Sequence, residues 1–260
     1  MPDNCTDRTR YFIVSPGRTG STMLAWVMAK AGANFGLPVP QRWDPRAGEM
    51  EHPTLVAAAR RLGASHQISG DKPRQLGRRM EWTWHRHVAR KELRRVLAEA
   101  RFLKSEDLDL AVQSAAKLGY CPKIVTSFRQ FDQQAASRMQ RQNYASVDWL
   151  HAYYMRVCRN ALVQTKLYGG CLVAYDDLMD AGHAGWADAL AEVTGLCANA
   201  LVTYRDEVLS HASSASERSV GAISLSAESD FVFDQMEALR NQAFVSSRQA
   251  AKATAEDTPS

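Results

Sequence analysis

Three short apolar runs, each followed by a longer helix-forming stretch, predict an α/β fold. The expected form is a three-layer α/β/α arrangement with helices on both faces of a central parallel sheet. The runs are Tyr11-Phe-Ile-Val-Ser15, Lys123-Ile-Val-Thr-Ser-Phe128 and Gly170-Cys-Leu-Val-Ala-Tyr175. Each is rich in strand-forming residues and short enough to be a buried strand. Their alternation with helices selects parallel pairing, because parallel neighbours need a long crossover connection.

The first run is closed by Pro16-Gly17, and Ser21 to Lys30 then carries helix-forming residues. The second is followed by a helix over Phe131 to Gln142. The third is followed by one over Trp186 to Val193, with Gly195 near its end. Between these units, Glu81 to Arg101 and Val147 to Lys166 read as further helices. The chain turns Ser- and Ala-rich after about Ser210, and 248–260 is expected to be a flexible tail. No repeat or linker divides the chain, so a single domain over 1–260 is expected, with its core at about 8–210.

Composition narrows the class. A 45% hydrophobic and 23% charged chain has enough apolar residues for a core and is not of the disordered kind. Its longest apolar stretch, around Met23 to Ala33, is interrupted by Lys30 and Gly32 and is too short to span a bilayer. Residues 1–10 are polar and lack a signal-peptide core. The five cysteines (Cys5, Cys121, Cys158, Cys171, Cys197) are odd in number, and no two have metal-clamp or redox spacing. Reduced thiols, a cytoplasmic location and no metal are therefore expected. The net charge of +4 suits an anionic ligand without calling for nucleic acid.

The most informative segment is Ser15-Pro-Gly-Arg-Thr-Gly-Ser-Thr22, set between a strand and a helix N-terminus. Glycines let the backbone turn sharply and bring its N–H groups close to an anion. The helix start adds unpaired N–H donors and a partial positive charge. Arg18 supplies a full charge, and the Ser21 and Thr22 hydroxyls can donate to phosphate oxygens. A nucleoside-triphosphate loop would carry Lys before its final Ser or Thr, whereas here Ser21 follows Gly20 directly.

This segment resembles the 5′-phosphosulfate loop of sulfotransferases that use 3′-phosphoadenosine 5′-phosphosulfate (PAPS). In that family the loop commonly reads Pro-Arg-Ser-Gly-Thr-Thr after an apolar strand; here Gly17 is inserted ahead of Arg18. The resemblance implies that Gly17, Arg18, Thr19, Gly20, Ser21 and Thr22 surround the 5′-phosphosulfate. The family's 3′-phosphate site places an Arg just after a second strand and a Ser eight residues later. Arg129 and Ser137 have that spacing, with Arg138 as a neighbouring helper. An Arg fork and a helix hydroxyl can converge on one phosphate. Leu172-Val-Ala-Tyr-Asp-Asp-Leu178 is similar to the family's Tyr-Glu-Asp-Leu strand end, with packing or capping roles expected for Tyr175 and Asp177.

By the same resemblance the activity is sulfuryl transfer from PAPS to a hydroxyl, or secondarily an amine, of a small-molecule, carbohydrate or lipid-like acceptor. PAP, 3′-phosphoadenosine 5′-phosphate, is the product. Such a transfer needs a proton acceptor, cations on the leaving oxygen and in-line positioning. Asp71-Lys-Pro-Arg74 is similar to a family segment with a Lys near the bridging oxygen, which nominates Lys72 as that cation. Asp44-Pro-Arg-Ala-Gly-Glu-Met-Glu51 is similar to a bacterial Asn-Pro-X-Gly-X-X-Glu segment and nominates Glu51 as the base. Glu49, Asp71 or a histidine (His52, His66, His85, His87) are the alternatives. The Ser-rich stretch Ser210 to Ser226, with Arg218, is a candidate cover for the donor.

Arg74 to Arg95 holds eight Lys or Arg against two Glu, with Trp82, Trp84, His85 and His87 interleaved. Its simplest reading is an amphipathic helix with a solvated basic face. Two other functions stay open at this level: a small-molecule kinase built on the same loop, and a polyanion-binding module built on the basic helix. Acceptor identity and oligomeric state are not legible.

Overall fold

The computed structural model describes residues 6–44, 50–70, 76–106, 108–141, 146–212 and 227–256. Four parallel strands form one sheet in the order β2-β1-β3-β4: β1 is Thr9–Val14, β2 Phe102–Ser105, β3 Cys121–Phe128 and β4 Gly170–Ala174. Helices cover both faces, so the expected three-layer α/β/α architecture is the one observed.

The alternation of side chains along β1 builds the two outer layers. Tyr11 and Ile13 point into one cluster, shared with α1 (Ser21–Lys30), α8 (Gly185–Thr194) and α9 (Ala198–Ala212). Phe12 and Val14 point into the opposite cluster, with α2 (Pro53–Gly70), α3 (Leu76–Glu99), α4 (Asp109–Lys117) and α6 (Val147–Tyr168). All four are at most 4% exposed, and burying a side chain of this size contributes about 1.5–3 kcal/mol. A third cluster joins the end of β3 to α5 (Phe131–Arg141), α6 and α10 (Ala227–Glu256).

Strand β1 is flanked by β2 on one side and β3 on the other. The chain therefore leaves β1 in one direction and later crosses back to the other side. In open parallel sheets, ligands bind at the carboxyl ends of the strands at such a reversal. The loop 15–20 begins there.

Several details depart from expectation. The fourth strand, β2, was hidden because Arg101 and Lys104 break its apolar pattern; the preceding helix stops at Glu99 instead of running to Arg101. The backbone of α10 is helical to Glu256, into the stretch expected to be a tail, because its Ala, Gln and Lys residues favour helix. Cys121 is disulfide-bonded, which corrects the expectation of reduced thiols throughout. Pairing follows spatial neighbours rather than sequence spacing, and Cys121 lies opposite Thr9 in the N-terminal strand. Cys158, Cys171 and Cys197 are free, and burial pushes the thiols of Cys158 and Cys171 up to about 12. No helix among the described residues is long and apolar enough to cross a membrane.

The junction of α6 and β4 depends on glycine. Gly170 has φ +148°, and a Cβ there would overlap the carbonyl oxygen of its β3 partner Ile124. Gly170→Ala should therefore destabilise the fold by about 3 kcal/mol or more, read as a lower urea midpoint with an unchanged slope. A midpoint shift equivalent to less than about 1 kcal/mol would show that this junction relaxes freely.

Candidate functional site

The loop from Ser15 to Gly20 owes its shape to three left-handed residues, Gly17 (φ +75°), Arg18 (φ +58°) and Gly20 (φ +77°). This conformation is cheap for glycine and unusual for arginine. Gly20 is the N-cap of α1, and no side chain caps that helix end. The first acceptor within the helix is Gly20 O, bonded by Leu24 N at 2.8 Å, so the amides ahead of Leu24 have no intrahelical partner. The first turn of α1 contains no acidic residue. An anion placed there meets unopposed N–H groups and the positive end of the helix.

The loop is held from α5. Gln134, fully buried, donates its amide to Pro16 O at 3.0 Å and to Gly17 O at 3.2 Å, and Arg138 donates to Pro16 O at 3.0 Å. With both carbonyls turned toward α5, the planar peptide units direct the amides that follow them away from α5. Thr19 supplies the second anchor. Its side chain is fully buried, and its hydroxyl shares a 2.8 Å hydrogen bond with Ser127 of β3. Thr19 thus fixes the loop to the sheet through its side chain, which leaves only its backbone to meet an anion at the loop. Ser21 is buried, Thr22 half-buried and Arg18 exposed.

The second group of expected residues converges on the same place. Arg18 Nε donates to Ser137 Oγ at 3.2 Å, joining the loop to α5 across 119 positions of sequence. The Arg129 guanidinium, at the carboxyl end of β3, lies 4.0 Å from the centroid of the Tyr175 ring, and its Nε donates to Gln133 at 2.8 Å. Tyr175 in turn covers Gly20: a Cβ on Gly20 would come within 2.9 Å of the Tyr175 ring. Tyr175 thereby links Arg129 to the loop, a role its strand-end position suggested only as packing.

Two carboxylates flank the loop strand. Glu51 forms an ion pair with Lys104 of β2 at 3.2 Å, with the two side chains 15% and 5% exposed. Lys104 was invisible to sequence reasoning because β2 was. Glu106, just beyond β2, accepts from Arg138 at 3.3 Å and from the Tyr153 hydroxyl at 2.9 Å, both at Oε2. A Cβ on Gly17 would overlap its Oε1. Burial, reinforced by the Glu106 charge, pushes the Tyr153 phenol well above the usual tyrosine range, so it remains a donor to Glu106 at neutral pH.

Asp177 accepts from Arg240 of α10 at 2.7 Å, which ties α10 to the short helix α7 (Tyr175–Met179); this is an anchoring role. His52 accepts from Thr54 N through Nδ1, and Arg61 pairs with Glu92 at 3.1 Å between α2 and α3. The basic helix is therefore partly knitted into the fold, with Arg61 lying over Trp84 at 5.8 Å. Lys72, Asp71, Glu49 and Arg218 lie outside the described residues. Comparison with family models, with curated proteins and with solved structures finds no match.

Thr19→Val keeps the shape but removes the hydroxyl, leaving Ser127 unpaired in the core. It should cost about 1–2 kcal/mol by urea denaturation. Thr19→Ser should retain most of that stability; equal stability of the valine and serine variants would show that the hydrogen bond does not hold the loop.

Proposed function

We propose that the protein transfers a sulfuryl group from PAPS to a hydroxyl, or secondarily an amine, of a small-molecule, carbohydrate or lipid-like acceptor. The observation that carries this reading is the Arg18–Ser137 hydrogen bond: two sequence segments matched separately to the two phosphate sites of one donor meet at the carboxyl end of the central strands. The uncapped start of α1, the loop carbonyls drawn toward α5 and the acid-free first turn all suit a phosphosulfate.

In this reading the amides of residues 17–22 and Arg18 hold the 5′-phosphosulfate, while Arg129 and Ser137 hold the 3′-phosphate. Arg129 fits this task because stacking on Tyr175 and the bond to Gln133 pre-orient its fork. Transition-state charge on the bridging oxygen would be met by the helix start and by a cation, for which the family resemblance nominates Lys72. The reaction moves SO₃ from a phosphate oxygen to the acceptor's oxygen or nitrogen without redox change.

Calorimetric titration with PAP tests the reading, with ATP–magnesium as control and Arg129→Ala in parallel. Micromolar PAP binding, weak ATP binding and a loss of at least about tenfold in the variant are expected, since a charge-assisted pair to phosphate is removed. A folded protein that ignores PAP but is stabilised by ATP–magnesium would replace this reading with the kinase.

A further inference from the structure

Sulfuryl transfer to a hydroxyl calls for a proton acceptor beside the transferring group, and the geometry separates two carboxylates, Glu51 and Glu106, that could serve. Glu51 is engaged with Lys104 in a largely buried ion pair, with Lys104 only 5% exposed. Its charge neutralises a lysine that would otherwise be stranded in the core. Glu106 stands differently. Arg138 and Tyr153 both bond to Oε2, and Oε1 lies against Gly17, in the turn that forms the anion cradle. Arg138 also grips the Pro16 carbonyl, so the carboxylate and the loop are held by one guanidinium. The Glu106 side chain is 45% exposed and so within reach of a small molecule.

A negative charge facing a cradle of N–H donors opposes anion binding. Its presence there is understandable where the bound species brings a proton to be accepted. We propose that Glu106, rather than Glu51, is the proton acceptor of the reaction; this rests on the sulfuryl-transfer reading. As the acceptor oxygen attacks sulfur, its proton moves to Glu106 Oε1. The new O–S bond forms while the S–O bond to the 5′-phosphate breaks, and PAP leaves with that electron pair. Arg138 and Tyr153 are positioning residues. By occupying Oε2 they turn Oε1 toward Gly17, and Tyr153 adds a hydrogen bond without adding charge.

The test uses the full chain and Glu106→Gln, which preserves shape and the bond from Tyr153. PAP release from PAPS is followed with 2-naphthol as a phenolic probe and with water alone, across pH, beside a PAP titration. The expected result is PAP binding about 3- to 10-fold tighter than wild type, a loss of about 100-fold or more in release, and disappearance of the acidic limb of the pH–rate profile. Release within threefold of wild type, or an unchanged acidic limb, overturns the assignment. If wild type binds PAP but turns over neither probe, the titration decides. Removing the opposing charge should tighten PAP binding about 3- to 10-fold, and equal or weaker binding overturns the assignment. Absence of PAP binding by wild type would instead overturn the donor reading, and this assignment with it.

Discussion

The site depends on hydrogen bonds from α5 to the loop. A glycine turn at a strand's end has carbonyls as well as amides, and an anion is attracted only if the carbonyls are kept away from it. Gln134 and Arg138 do this by bonding Pro16 and Gly17 oxygens from the α5 side. Thr19 closes the arrangement from below through Ser127. Because α5 itself is set by the end of β3 and packed against α6 and α10, the cradle inherits the rigidity of the sheet.

The same geometry distributes charge economically. Arg138 touches a loop carbonyl, the Glu106 carboxylate and the faces of Tyr153 and Trp149, with its guanidinium 4.7 Å and 5.5 Å from the two ring centroids. Arg129 is treated similarly, between Tyr175 and Gln133. An arginine held against a ring and by hydrogen bonds has less freedom to lose on binding a ligand. Glu51 and Lys104 cancel one another on the β2 side. Among the described residues, the carboxyl end of the sheet thus carries Arg18 at the loop and Arg129 at β3, with the Glu106 carboxylate beside Gly17.

Much of this was legible in the sequence for a physical reason: local rules are written locally. Strand, glycine turn and helix start lie in consecutive residues, so Tyr11 to Lys30 could be read as a unit, and Arg129 with Ser137 follows from one strand and one helix turn. What escaped was whatever depends on packing between distant segments. Strand β2 has only four residues, and its Lys104 reads as a surface charge until Glu51 is brought beside it. Gln134 looks like any helix glutamine until the loop is laid across it. Thr19 appeared to be a ligand residue by position, yet its side chain faces the sheet. Glu106 lacked any motif and gains meaning only from Gly17, Arg138 and Tyr153.

The central claim is that one cleft receives both phosphates of a single donor, and a crystal structure of the protein with PAP tests it most directly. The account predicts the 5′-phosphate on the amides of residues 17–22 beside Arg18, and the 3′-phosphate between Arg129 and Ser137. A PAP molecule seated elsewhere, or with its 3′-phosphate away from Arg129, would contradict it.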